Sequence, residues 1–328
     1  MTRPETTSEK KIIVATLLAL WRRGAECTMD SLLRDTRAPL PEVLAALDVL
    51  ARRGCLVETS PERGVVLERT ALGCWRDVIE AESRRLNRAL GTRTLVYQAT
   101  TSTNEVCWQL AGEHNLVALA DVQTAGRGRR SHRWVARAGQ SVLMSVLLPG
   151  LPAGAESLTL LAGLAAADAL ETAAGIKVSI KWPNDLLIDG RKVAGILVET
   201  RAGDAGLTHV VIGIGVNVAQ GAGDWPGDLK RQATSLYLAT GRQVDRLRVV
   251  EALLTALASR LGQADQTESW LPAWKQRCAM LGQTLPLEHG GKRLLAQIID
   301  VDPMQGLVVR DQAGVMRFLS AQMTTFSI

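Results

Sequence analysis

Cysteine is sparse and carries no pattern. The 328-residue chain has five, Cys27, Cys55, Cys74, Cys107 and Cys278, with no CxxC spacing among them. Neither a disulfide framework nor a zinc site is expected, and a reducing cytoplasm suits the pattern. The opening "MTRPETTSEKK" lacks an apolar core for a signal peptide. The apolar stretch "IIVATLLALW" (12–21) is far shorter than the roughly 20 residues a bilayer needs. The expectation is therefore a soluble, cytoplasmic protein with no membrane partner. GxxxxGK[ST] is missing everywhere, and GxGxxG is missing where glycine and arginine are densest, so neither standard nucleotide loop is present there. There are no internal repeats. Phe and Tyr number two each beside eight Trp, a skew with no physical account.

What is present is ordinary globular composition, 47% hydrophobic and 22% charged, with a net charge of +5. The length allows two or three domains with real cores. The mild positive charge fits an anionic ligand or nucleic acid and demands neither.

Residues 8–70 read as helix, short helix, longer helix and hairpin. "KKIIVATLLALWRRG" should stop at Gly24, and "TMDSLLRDT" should open on Thr28 as its N-cap. "PLPEVLAALDVLARRG" follows, with Val43, Leu44, Leu47, Leu50 and Ala51 at helical spacing, ending at Gly54. "CLVETSPERGVVLER" is two strands around a Pro/Gly turn. That order is the order of a winged helix-turn-helix, and region 28–53 is the candidate DNA-binding segment. Its second helix, however, offers Glu42 and Asp48 where base-reading donors belong, with Arg52 and Arg53 only at its end. The wing sequence "SPERG" supplies Arg63 alone, and residues 1–70 hold 11 Lys+Arg against 10 Asp+Glu, a net of +1. DNA binding and a packing or partner role both stay open.

Residues 71–95 read as a connecting helix or two. Strand-like "LVALADVQ" (116–123) and "QSVLMSVLLP" (140–149) come next. "ESLTLLAGLAAADALETAAG" (156–175) is so apolar that it should be a buried core helix. "VSIKWPND" (178–185) and "LLIDGRKVAGILVETR" (186–201) are expected as successive strands, with Asp189-Gly190 as the tight turn between them. In "LTHVVIGIGVNVA" (207–219), Gly213 and Gly215 should leave room for a ligand or close backbone. "GAGDWPGDLKRQATSLYLATG" (221–241) is a loop leading into a helix, and from about 276 short strands and turns suggest a small all-β barrel.

Three stretches can carry chemistry. "GRGRR" (126–130), after a strand, lets the backbone approach an anion while guanidinium forks grip it; a solvated basic loop is the alternative. In "KWPND" (181–185) a lysine ends a strand beside an aromatic and two polar side chains; the alternative is a Pro turn with Lys181 at the surface. "TTSTNE" (100–105) is either a helix N-cap supplied by Ser102 or Thr103, or a set of hydrogen-bonding groups for a small polar head.

Taken in order, "TSTN", "QxxGRGRR…W", "KWPND…GILVE" and "GIGVN" resemble the biotin protein ligases, most strongly over about residues 98–218. With the front end, the chain looks like the bifunctional biotin ligase/biotin-operon repressors, the BirA type. The resemblance implies an α+β multidomain chain. Its parts would be a winged helix-turn-helix (1–70), a linker helix (71–95), a class II synthetase-like mixed α/β catalytic domain (96–275) and a small SH3-like β barrel (276–328). It also implies the activity: biotin and ATP, with Mg2+, give biotinyl-5′-AMP, whose biotinyl group passes to a lysine of a biotin carboxyl carrier protein. Operator DNA and a homodimer formed through the central sheet are the other implied partners.

By motif, biotin contacts fall on Ser102, Thr103, Asn104, Gln123, Arg127, Gly128, Arg129 and Lys181. Lys181 and Arg129 would stabilise charge built up when the carboxylate attacks the α-phosphate. The adenylate side takes Arg129, Asn184, Gly215, Asn217 and Trp225, with Asp185 assigned to Mg2+ and the loop 221–232 ordering over the adenine. One departure is that the family loop commonly continues Gly-Arg after GRGRR, whereas Ser131 and His132 stand here, with Arg133 one place later. A lipoate ligase fits GRGRR and KWPND less well. A DNA-binding ligand sensor would have no use for a charge-stabilising lysine.

Overall fold

The computed structural model describes residues 5–24, 27–112, 115–149, 154–202, 208–227 and 229–326. The chain divides into two compact units: Met1–Val96 with Asp245–Leu247, and the rest.

In the first unit, α1 (Thr7–Arg23) opens with a capping box, Thr6 and Glu9 each accepting from the other's backbone N–H. It closes on Gly24 at φ 71°. Its buried Ile13, Leu17, Leu20 and Trp21 form one stripe. α2 (Met29–Thr36) is capped by Thr28, as expected, whose Oγ1 accepts from Ser31 N at 3.2 Å. α3 (Leu40–Arg52) buries Val43, Ala46 and Leu50, whereas Leu44 is 48% exposed. Spacing alone had put Leu44 on the core side; the stripe that packs lies one position round the helix.

The hairpin pairs β1 (Leu56–Ser60) with β2 (Gly64–Arg69), antiparallel. Gly64 sits at φ +70° with its Cα against the Cys27 carbonyl, where a Cβ would collide with backbone. Val65 N donates to that same carbonyl at 2.8 Å. Only glycine satisfies both demands. A 3₁₀ turn (Leu72–Cys74) leads into α4 (Trp75–Arg85), where Glu82 is buried and receives hydrogen bonds from Arg22 and Arg85. Burial pushes the Glu82 carboxyl up, but the two guanidiniums outweigh it and hold it below the usual carboxylate range.

The second unit contains a seven-stranded sheet. Its strands are β3 (Arg93–Thr100), whose first residues belong to the first unit, β4 (Leu116–Gln123), β5 (Ser141–Leu148), β6 (Ser179–Lys181), β7 (Asp185–Ile188), β8 (Arg191–Ala202) and β9 (Thr208–Asn217). The order is β3-β4-β5-β9-β8-β7-β6, and the pairs from β4 through β6 are antiparallel. The 178–201 region is therefore three strands, not two. Trp182–Asn184 forms a turn, and Asp189 (φ 48°) with Gly190 (φ 73°) makes the two-residue hairpin inside the second stretch. α5 (Thr103–Gln109) lies between β3 and β4 in the chain.

α6 (Ala155–Ala174) is long and apolar enough to cross a membrane by length and composition, yet 72% of its apolar window is buried within the fold. Its two outer carboxylates, Asp168 and Glu171, bind Arg260 and Arg277 at 2.7–2.9 Å. Those pairs tie α6 to α9 (Arg246–Leu261) and to α10 (Thr267–Arg277), beyond the short α7 (Leu229–Gln232) and α8 (Leu236–Thr240). The chain ends in a five-stranded antiparallel sheet of order β13-β12-β11-β10-β14. These are β10 (Thr284–His289), β11 (Lys292–Asp302), β12 (Gly306–Asp311), β13 (Met316–Leu319) and β14 (Thr324–Phe326).

Candidate functional site

A cavity of ≈ 250 Å³ opens over β8 and β9, lined by α5, the arginine loop, the β6–β7 turn and the β14 tail. Its wall depends on three glycines. A Cβ on Gly215 would lie 2.5 Å from Trp134 Cε2, and one on Gly195 3.1 Å from Trp134 Cζ3. Gly195 and Gly215 are paired across β8 and β9, so the two bare positions make one slot for the indole. Gly213, by the same logic, makes room for the Asn104 side chain. The space expected above these glycines is thus filled by the protein's own Trp134 and Asn104, which in turn shape the cavity.

The TSTN segment enters from the start of α5. Ser102 holds the N-cap position but makes no side-chain cap bond, against the simple capping expectation. Gln123 Oε1 instead accepts from Thr103 N at 2.7 Å and lies 3.2 Å from Thr103 Oγ1. Ser145 Oγ lies 2.6 Å from both Thr103 Oγ1 and Asn104 Oδ1.

The arginine loop closes on itself rather than trailing into solvent. Gly128 N donates to His132 O at 2.7 Å, Trp134 N to Gly126 O at 3.1 Å, and Arg133 Nη2 to Thr124 O at 3.0 Å. His132 Nδ1 lies 2.9 Å from Arg129 O, so the departure at position 132 still serves to brace the loop. A single 3₁₀ turn (Arg129–Ser131) puts Arg130 in the left-handed region at φ 52°, and both Arg129 and Arg130 reach the tail at residues 321–322. Arg129 donates to Ala321 O at 2.6 Å and toward Asn184 Oδ1 at 3.4 Å; Arg130 donates to Gln322 O at 2.9 Å. Burial, helped by the charge of Arg130, lowers the Arg129 pKa from its ordinary value.

Lys181 ends β6 on the cavity wall, with its ammonium 5.9 Å from the Phe326 ring centroid and no ion pair among the described residues. Lys192 also lines the cavity, over the Trp134 ring at 5.7 Å and 2.6 Å from Asp185 Oδ1. Among the described residues Asp185 is the one carboxylate on the wall, against Arg127, Arg129, Arg130, Arg133, Lys181 and Lys192. An excess of cations in a concave site concentrates anions. Cys107, fully buried beneath, has its thiol pushed up by burial to about 12 and offers no thiolate nucleophile.

Of the residues proposed from sequence, Ser102, Thr103, Asn104, Gln123, Arg127, Gly128, Arg129, Lys181, Asn184, Asp185 and Gly215 all line this cavity. Asn217 and Trp225 do not. The Asn217 amide is spent on Thr234 O (3.1 Å) and Lys192 O (3.4 Å). Trp225 lines a separate cavity of ≈ 260 Å³ with Gln220, Arg137 and Asp224. Sequence reasoning left Trp134, Trp182, Lys192 and Thr324–Phe326 unassigned. Trp134 and Lys192 stood inside stretches already singled out, whereas nothing local marked the tail, which only the closing of β14 on β10 brings back.

No group of three metal-ligating side chains exists among the described residues. Asp185, given to Mg2+ by resemblance, is alone and already neutralised by Lys192. The donor set does not fit a resident metal centre, which for Mg2+ normally adds substrate phosphates to one or two carboxylates.

Residues 96–217 match the Biotin/lipoate A/B protein ligase family. The chain is 35% identical over 236 residues to the bifunctional ligase/repressor BirA of Bacillus spizizenii, a match covering 69% of this chain and 72% of that one. It is 38% identical over 226 residues to the biotin–[acetyl-CoA-carboxylase] ligase of Paracoccus denitrificans, covering 66% of this chain and 93% of the other. The fold is similar to biotin protein ligase from Aquifex aeolicus in complex with biotin and ATP: TM-score 0.63, 26% identity, 72% of this chain and 99% of that one.

Proposed function

This chain belongs to the biotin protein ligase family, and from that premise we propose that it is an ATP-dependent biotin–[biotin carboxyl carrier protein] ligase. One observation carries the proposal. TSTN, GRGRR, KWPND and the GIG glycines, scattered over more than a hundred residues, line one cavity, and among the described residues Lys181 on its wall has no carboxylate partner.

Chemically, a biotin carboxylate oxygen attacks the α-phosphorus of ATP, and the bond to pyrophosphate breaks. The ε-amine of the acceptor lysine then attacks the acyl carbon of the mixed anhydride, expelling AMP. Negative charge rises on the α-phosphate in the first step, so fixed cations lower its barrier. Lys181 suits this role because no carboxylate among the described residues pairs with it. Arg129 is held in position by Ala321 O and keeps its positive charge. Ser102, Thr103, Asn104, Gln123, Arg127 and Gly128 form the biotin side, and Asn184 and Gly215 the nucleotide side. Mg2+ would come in with the phosphates of ATP as part of that substrate, with Asp185 the carboxylate nearest to hand. Trp225 lines another cavity and the Asn217 amide is held by Thr234 O and Lys192 O, so neither is assigned to the nucleotide side.

The five-stranded C-terminal sheet reads as the SH3-like barrel (276–328), after a catalytic domain (96–275). The first unit reads as a winged helix-turn-helix (1–70) with a linker helix (71–95), in a cytoplasmic, homodimer-forming protein that also represses at operator DNA. A ligase without operator binding is the second reading. It is favoured by one observation: Arg52, Arg53 and Arg63 are each paired to a carboxylate, Asp48, Glu5 and Glu68.

The test is pyrophosphate exchange into ATP, dependent on biotin, in the wild type and in Lys181→Ala. Loss of exchange in a folded variant is the expected result. Unchanged turnover would remove Lys181 from the chemistry.

A further inference from the structure

Glu199, on β8, stands behind the site rather than on the cavity wall, and its Oε2 gathers three donors. They are Asn104 Nδ2 at 2.8 Å, Trp108 Nε1 at 3.1 Å and Arg127 Nη2 at 3.2 Å. Asn104 and Trp108 are four residues apart on α5 and so share a face; Arg127 arrives from the arginine loop, where Glu105 lies farther off at 3.6 Å. Arg201 caps the other side of this cluster, its guanidinium 4.3 Å from the Trp108 ring centroid.

The carboxylate settles how the neighbouring groups point. A carboxylate only accepts, so the Asn104 amide must present its NH2 to Glu199 and its Oδ1 to Ser145. The single hydroxyl proton of Ser145 then goes to Asn104 Oδ1, 2.6 Å away. The 2.6 Å contact between Ser145 Oγ and Thr103 Oγ1 therefore uses the Thr103 proton, the shorter contact winning over Gln123 Oε1 at 3.2 Å. Thr103 Oγ1, on the cavity wall, is left with lone pairs to offer a ligand N–H. The same charge neutralises Arg127, separating it from Lys181.

We propose that Glu199 is the positioning residue of the site, setting Asn104, Ser145 and Thr103 as one directed hydrogen-bond chain that accepts from a ligand N–H and holding Arg127 at the cavity wall. The proposal rests on the biotin reading above, which puts Thr103 and Asn104 on the biotin side: the ureido ring of biotin supplies such N–H groups.

The experiment measures KM for biotin, KM for ATP and kcat in biotin-dependent pyrophosphate exchange, for wild type, Glu199→Gln, Glu199→Ala, Asn104→Ala and Asn104→Ala/Glu199→Gln. Removing a hydrogen bond to a charged group is worth about 10- to 100-fold in binding. Glu199→Gln, which keeps the shape and loses the charge, is expected to raise KM for biotin about tenfold, and Glu199→Ala further. For the two single Glu199 variants, KM for ATP and kcat at saturating biotin should stay within about twofold of wild type, since the proposal puts the cluster on the biotin side. In the Asn104→Ala background Glu199→Gln should add little. A wild type without exchange would sink the ligase reading itself. An active wild type whose Glu199→Gln variant keeps its KM for biotin would overturn this proposal alone, as would equal changes in both KM values or full additivity in the double variant. If Glu199→Ala fails to fold, the Gln variant and the double variant still decide.

Discussion

Two arginine-bearing places in the chain, the end of α3 with its hairpin and the Arg129–Arg130 turn of the arginine loop, hold their charges in opposite ways. In the first, Arg53 is 2.6 Å from Glu5, Arg63 is 2.9 Å from Glu68, and Arg52 bonds Asp48. In the second, Arg129 and Arg130 are held by the carbonyl oxygens of Ala321 and Gln322. A carbonyl fixes the direction of a guanidinium and leaves its charge available to an anion. A carboxylate fixes it and cancels it. Local composition does not distinguish the two regions; the partner atom does. The exposed pairs near α3 are weak, about 0–1 kcal/mol each, so phosphates could still compete for those arginines.

The sharpest way to break this comparison is at Lys181, a cavity cation with no ion pair among the described residues. Replacing it with alanine should cost about 10²- to 10³-fold in the adenylation rate, the scale of losing one charge-stabilising donor. Stopped-flow or exchange kinetics would read it, and a change under threefold would mean that free charge in the cavity is not what matters. Next comes Gly215→Ala, which drives a Cβ into Trp134. Overpacking of this kind costs about 1–3 kcal/mol, visible as a lower denaturant midpoint and, because Trp134 shapes the wall, as weaker biotin binding by calorimetry. Unaltered binding would take Trp134 out of the site.

Gly64→Ala sharpens the contrast from the other region. Strain at φ +70° with a backbone collision should remove about 1–3 kcal/mol from the first unit, while adenylation stays within twofold. An equal loss of adenylation would join the fates of the two regions. The smallest effect is expected on DNA. In a gel-shift with DNA upstream of biotin-synthesis genes, the double variant Glu5→Gln/Asp48→Asn unpairs Arg53 and Arg52 and should tighten low-salt binding about two- to fivefold. A wild-type shift that requires both biotin and ATP would establish an adenylate-switched repressor and show the pairs to be displaceable. No shift in either protein would leave a dedicated ligase.

Much of this was legible in advance because the signals were local. The helix stops at Gly24, the Thr28 cap, the Asp189-Gly190 turn and the apolar α6 each rest on a few adjacent residues. Errors appeared where tertiary packing chose between equivalent options. Leu44 and Ala46 have equal claim to a helical stripe, and only the partners of α3 select Ala46. Trp182-Pro183-Asn184 reads as the end of one strand until the sheet turns there. Gly213 and Gly215 announced a close approach correctly, but not that Asn104 and Trp134 would be what approached.

The chain's order of amino acids determined by itself which chemistry was possible: an arginine-rich loop, a strand-ending lysine and a hydroxyl-amide segment. Local backbone preference and side-chain type need no distant partner to be read. Only the tertiary structure decided which charges remain free and which are cancelled. It set Glu199 beneath Asn104 and Arg127, carbonyl oxygens from residues 321 and 322 beneath the arginine loop, and carboxylates against the arginines of the first unit. The physical reason is that an ion pair or a hydrogen bond is a matter of a few ångströms between groups that can stand nearly two hundred residues apart.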